Sequence, residues 1–113
     1  MDRSDVMYLI SAVQYKDEFG VYREILNKRK VFCEVSSITM SEWFEGSRNG
    51  LNPSLRFRMF SPDYEGEKLL QYQDTFYSIY RTFRDRNEII ELYCEVNEKA
   101  KGTEIFEIHP APM

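Results

Sequence analysis

The chain is expected to be all-β: a small barrel of six or seven strands, with one short helix inserted after the second or third strand. Three observations lead there. From Glu67 to Val96 the chain reads EKLLQYQDTFYSIYRTFRDRNEIIELYCEV, three runs rich in aromatic and β-branched residues broken by Gln73-Asp74 and Arg84-Asp85-Arg86-Asn87. Short apolar runs separated by polar breaks are the pattern of a β-meander. Ser54 to Ser61 alternates cleanly, with Leu55, Phe57 and Met59 on one face and Arg56, Arg58 and Phe60 on the other. Finally, aromatic residues make up 15% of the chain, and such rings suit pleated, half-buried surfaces. Many short strands in so small a chain point to a barrel or compact sandwich, because closure removes exposed edges.

Val6 to Gln14 reads as the first strand, with Tyr8 and Ile10 opposed to Met7, Leu9 and Ser11. Tyr15 to Gly20 is a turn, in which Gly20 supplies a permissive backbone. Val21 to Ile25 is a short strand or extended arm. Lys28 to Ile38 resumes β character, Val31, Cys33 and Val35 alternating with Phe32, Glu34 and Ser36. The pattern then changes. Thr39-Met40-Ser41-Glu42 fits a capping box, in which Thr39 caps Glu42 and Glu42 reaches back. The helix should be short, with Gly46 near its stop. Ser47 to Pro53 is dense in turn formers and is expected to be a mobile loop. A non-β insertion carrying an exposed loop is the natural place for a binding element.

After Ser54–Ser61 and a loop at Pro62–Gly66, the meander strands are expected over Lys68–Tyr72, Thr75–Phe83 and Glu88–Glu95. In the last, Ile90, Leu92 and Cys94 oppose Ile89, Glu91, Tyr93 and Glu95. Residues 1–97 form the barrel domain and 98–113 a loosely held tail, in which Glu104–Ile108 could add one strand.

The 113 residues suffice for one domain and a modest core. With 19 acidic against 15 basic residues the net charge is −4, which argues against a dedicated duplex-DNA binder. Eight Tyr, eight Phe and one Trp are more rings than so small a core hides, so some are expected at an interface. Cys33 and Cys94 lack CxxC spacing and read as small apolar strand residues, free and reduced. The opening segment lacks an apolar stretch suited to a signal peptide, and no run reaches the ~18 apolar residues of a membrane span. Folding in a cytosol is the expectation.

No catalytic constellation is legible. His109 is the only histidine and reads as a solvated tail residue, and with two distant cysteines it makes no metal site. No phosphate-binding Gly-rich loop, nucleophile elbow or HExxH occurs. Glu88, Glu91 and Glu95 read as a solvated strand face rather than an acid/base pair. The chain is therefore read as a non-enzyme with no cofactor and no metal. Basic and aromatic residues interleave at Arg56–Phe60 and Tyr80–Arg84, a pattern that suits single-stranded nucleic acid. That alternative face comprises Arg56, Arg58, Tyr80, Arg81 and Arg84. The plainer account is ring inward and charge outward on two-faced strands.

The order of elements resembles the phage head–tail joining proteins, also called head-closure, stopper or head–tail adaptor proteins. The resemblance rests on an opening strand, a D-x-x-G turn (Asp17-Glu18-Phe19-Gly20) and a strand closing in Phe32-Cys33-Glu34-Val35. A short helix at Thr39–Phe44 follows, then Leu55-Arg56-Phe57-Arg58-Met59 and a hairpin at Tyr72–Ile79. The close is Ile90-Glu91-Leu92-Tyr93-Cys94-Glu95, so the likeness covers about residues 5 to 97. One departure is Gln73-Asp74, where the family usually carries a glycine.

The resemblance implies a structural protein of the virion connector, monomeric when free and a ring when assembled, made in the host cytoplasm of a phage or prophage. It would close the portal after packaging and offer a surface for tail attachment. Its partners would be portal, connector and tail proteins, with DNA passing nearby without specific binding and no membrane involved. Ser41 to Asn52 would face the partners. Trp43, Phe44 and Leu51 are the expected apolar anchors, and Ser41, Arg48, Asn49 and Asn52 the polar contacts, since aromatics and Arg dominate interface hot spots. Trp43 alternatively plugs one end of the barrel.

Overall fold

The computed structural model describes residues 4–98 and 105–107. Six strands build a closed barrel: β1 (Asp5–Lys16), β2 (Tyr22–Ser37), β3 (Pro53–Phe60), β4 (Leu69–Tyr72), β5 (Thr75–Arg84) and β6 (Ile89–Val96). They run antiparallel in the order β1-β4-β5-β6-β3-β2, and pairing of β1 with β2 closes the ring. A further strand, β7 (Ile105–Glu107), lies parallel to β2 along Leu26–Lys28. The one α-helix among the described residues, α1 (Met40–Arg48), follows β2, and a 3-10 turn at Ser61–Asp63 follows β3. The mainly β barrel with one short helix is the architecture that the sequence predicts.

Period-two alternation fills the interior. Met7 and Leu9 of β1, Val31 and Cys33 of β2, Phe57 and Met59 of β3, and Ile90, Leu92 and Cys94 of β6 point inward and form one core with Leu70, Tyr77 and Ile79. Phe57 sits fully buried at its centre, edge-on to Tyr72 at 5.4 Å and to Tyr77 at 5.7 Å. Edge-to-face rings at such separations add stability beyond the area they bury. Cys33 and Cys94 are free thiols inside this core.

Three expectations need correction. Val21–Ile25 and Lys28–Ile38 are not separate pieces: β2 is one unbroken strand of 16 residues. Tyr15 and Lys16 belong to a strand rather than a turn, because β1 pairs with β2 residue for residue from Asp5↔Cys33 to Lys16↔Tyr22. Continuous pairing to a long partner carries Asn27, a weak strand former, through the break that its local chemistry suggests. The expected loop at Ser47–Pro53 is also shorter. Helix α1 runs to Arg48, β3 begins at Pro53, and Asn49, Gly50, Leu51 and Asn52 all donate their backbone N–H groups, three of them into the last helical turn. The tail expectations for residue 99 onward, and for His109, fall outside the described residues except for β7.

Candidate functional site

Helix α1 begins as its sequence dictates. Thr39 stays extended and its hydroxyl accepts the Glu42 N–H at 3.2 Å. The capping box is only half made, because the Glu42 carboxylate turns to the barrel. There it accepts the Tyr80 hydroxyl at 2.9 Å and two Arg81 guanidinium bonds at 3.2 and 2.9 Å. A bulge makes this possible. Between Ile79 and Arg81 the β5–β6 register shifts by one residue, so the neighbours Tyr80 and Arg81 both reach Glu42. Arg81 also lies 3.9 Å over the Tyr93 ring. Burial first, then donation to Glu42, pushes the Tyr80 phenol well above its usual range, and the Glu42 bond raises Arg81.

At its other end the helix packs so closely that Gly46 is buried and only glycine fits. A Cβ there would stand 2.4 Å from Pro53 Cγ. Asn49 caps the helix, its amide donating to the Glu45 carbonyl at 2.9 Å, and is committed to its own chain. Leu51 is half-buried beside Gly46, Tyr80 and Arg81. Asn52 donates its N–H to Glu95 at 2.9 Å. Ser41 lies on the exposed first turn beside Thr39, and exposed Arg48 makes a loose ion pair with Glu45 at 3.8 Å.

The expected interface residues therefore separate. Leu51 and the Asn52 N–H hold the insertion to the barrel and Asn49 closes the helix itself, whereas Trp43 and Phe44 face outward, 43% and 57% exposed, with rings T-stacked at 5.3 Å. Met40, 71% exposed, joins them one helical turn away and was not anticipated. Trp43 does not plug the barrel; it stands outside the core, in a shallow hollow with Ile38 and Met40.

A second apolar surface was missed altogether. β4 covers β1 only at Tyr8–Ile10, β7 covers β2 at Leu26–Lys28, and β3 covers β2 at Glu34–Ser37. Ala12–Lys16 and Tyr22–Ile25 are thus a two-stranded arm beyond the barrel, roughly 17 Å long at about 3.3 Å per residue. Its tip turn is built by Asp17, whose carboxylate accepts the N–H groups of Phe19 and Val21, both at 2.9 Å, and the Arg23 guanidinium at 2.8 Å. Arg23 holds that carboxyl below the usual range. The tip exposes Phe19 (81%), Val21 and Tyr22 (72%), with Val13 and Tyr15 behind them. The available signal was a phenylalanine placed in a charged turn, Lys16-Asp17-Glu18-Phe19.

The alternative nucleic-acid residues are engaged by the protein itself. Arg56 donates to Ser36 at 3.0 Å, Arg58 lies among Glu34, Asp85 and Glu91 at 3.3–3.6 Å, and Arg84 bonds Ser61. Tyr80 and Arg81 are held by Glu42. Beyond the bulge the facing also inverts: Phe83 is 52% exposed, whereas Arg84 pairs opposite the interior residue Ile90. Of the carboxylates Glu91 and Glu95, the first accepts the Tyr93 hydroxyl at 2.6 Å and the second caps Asn52. Among the described residues no group of three His, Cys, Asp or Glu could hold a metal ion, and no helix is long and apolar enough to cross a membrane.

No protein-family model matches this chain, and no curated protein matches it.

Proposed function

We propose that the protein is a structural adaptor of the phage head–tail connector, closing the portal after DNA packaging and presenting a surface for tail attachment. One observation carries the reading: most of the exposed large apolar residues gather toward opposite ends of β2, the exceptions being Phe32 within it and Phe83 and Val96 on β5 and β6. Phe19, Val21 and Tyr22 lie at the arm, where β2 starts, and Met40, Trp43 and Phe44 lie just after its end at Ser37. Along 16 residues of strand the two are about 50 Å apart by contour, comparable with the longest dimension of the molecule, 51 Å. A subunit with two separated adhesive ends can touch two neighbours at once, as a ring layer requires. The sequence likeness to head–tail joining proteins supports the same reading. The committed arginines and the net charge of −4 weigh against the nucleic-acid alternative.

The test is sedimentation of the purified protein, alone and mixed with the portal complex and the neighbouring connector protein of its own genome. A monomer alone that joins the portal assembly in the mixture is the expected result. A protein that stays monomeric in both defeats the adaptor reading.

A further inference from the structure

We propose that, independently of the adaptor reading, the C-terminal segment is a strap: it leaves β6, crosses the outer wall of the barrel over β5, β4 and β1, and fastens as β7 on β2. Both ends are placed. At one end the Asn97 N–H donates to the Phe76 carbonyl at 2.8 Å, which extends the β5–β6 ladder past Tyr77↔Val96. At the other, Ile105 registers with Leu26. The pairings Phe76↔Gln71, Tyr8↔Gln71 and Tyr8↔Lys30 continue from Asn97 as one row around the wall to β2. β7 begins four residues before that row meets β2, at Leu26 rather than Lys30.

Reach decides the route. The eight residue steps from Asn97 to Ile105 span at most about 26–29 Å. Over β5, β4 and β1, five strand spacings of about 4.8 Å and the four-residue offset make a path of about 27 Å. The opposite way, along β3, is too long. There Glu95 pairs with Pro53 and Leu55 with Ser37, and Ser37 lies 11 residues, about 36 Å, beyond Leu26. The core fills the interior, so the connection passes outside it with little slack.

The wall along that route carries a covered apolar track. By alternation Phe76 stands opposite to Tyr77 and Ile10 opposite to Leu9, and Leu26, paired with Ala12, shares the side of Ile10. None of the three joins the core cluster, yet they are only 8%, 2% and 8% exposed. Outward apolar residues on a barrel wall face water unless something lies over them. Lys99-Ala100-Lys101-Gly102-Thr103 suits that place, since small residues approach closely and lysine stems cover apolar surface while their charges stay in water. Fastening β7 also covers part of the β2 edge that β3 leaves unpaired before Glu34, an edge that otherwise invites pairing with another chain.

The experiment is disulfide trapping within the full chain carrying Ala100→Cys and Gln71→Cys, because Gln71 faces outward on β4 midway along the route. Cys33 and Cys94 remain, since both are fully buried. The expected result is an intramolecular bond forming about ten-fold faster than in a control carrying Ala100→Cys and Phe83→Cys, Phe83 being exposed at the far end of β5. Equal rates overturn the proposal. The second measurement is apolar-dye fluorescence of a chain ending at Glu98. It should rise several-fold while a cooperative melt persists, as Phe76, Ile10 and Leu26 become uncovered. Unchanged dye binding by that folded chain overturns the strap as a cover. Should the shortened chain not fold, the two cross-linking rates decide alone.

Discussion

Gly20 and Glu88 occupy the same position in two turns of the same design. In the first, Asp17 N–H donates to the Val21 carbonyl, the Asp17 carboxylate accepts the N–H two residues on, and Gly20 takes φ +80°. In the second, Asp85 N–H donates to the Ile89 carbonyl, the Asp85 carboxylate accepts Asn87 N–H at 2.8 Å, and Glu88 takes φ +59°. A residue with a Cβ is strained in that region; glycine is not.

Glu88→Gly should therefore stabilise the protein. Relief of about 1–2 kcal/mol of left-handed strain exceeds the roughly 0.4–1 kcal/mol of added unfolded-state entropy, a net gain of about 0.5–1 kcal/mol. Gly20→Ala should move stability the other way by a similar amount. Thermal melts check both, with an expected shift of about 2–6 °C in each direction.

Gly46→Ala tests the helix seat. In an isolated helix alanine is better than glycine by about 1 kcal/mol. Here the added Cβ would stand 2.4 Å from Pro53 Cγ, so the sign reverses. A loss of about 1–3 kcal/mol in denaturant unfolding is expected, as for other overpacked sites. Stabilisation by Gly46→Ala would show that helix and strand separate easily.

Glu42→Gln tests the junction between α1 and the bulge. The change keeps the shape but removes the charge that holds Tyr80 and Arg81, and should cost about 1–2 kcal/mol. Arg81→Ala should lose less when added to Glu42→Gln than when made alone, because both act through one cluster. Strict additivity in a double-mutant cycle would deny the coupling.

Trp43→Ala should behave differently. Trp43 is 43% exposed and outside the core, so its loss should leave the melting temperature nearly unchanged and, on the adaptor reading proposed above, abolish entry into the portal assembly. Outright unfolding would mean that the side chain supports the barrel after all.

Alkali should unfold the protein through its buried thiols and half-buried phenols. Burial raises Cys33 from 9.0 to about 12 and raises Cys94 still further, while Tyr64, Tyr72 and Tyr93 rise from 10.0. A group whose pKa is higher in the folded than in the unfolded chain binds more protons when folded. For Cys33 that stability is present in full below about pH 9 and is lost as pH rises toward 12. Unfolding midpoints should fall from pH 9 upward. At neutral pH both thiols should resist a thiol reagent until denaturant is added.

What the sequence determined by itself is local and periodic. Two-residue alternation assigns Phe57 and Met59, and Ile90, Leu92 and Cys94, to the interior, and short strands with polar breaks imply closure. Thr39 announces the helix start because capping depends on residues only three apart. Gln73, the departure from a glycine, keeps the hairpin by taking φ +48° itself, since the pairing of Tyr72 with Thr75 holds the turn. Tertiary structure decided the rest, because it depends on partner register and on where neighbours end. The bulge at Tyr80 is a mismatch between two strands, and it alone brings Tyr80 and Arg81 together on Glu42. The arm exists because β4 stops pairing at Ile10 while β1 and β2 run on, which no pattern within either strand records. Whether an arginine is free to meet a ligand was equally non-local: the carboxylates around Arg58 come from β2, the β5–β6 turn and β6.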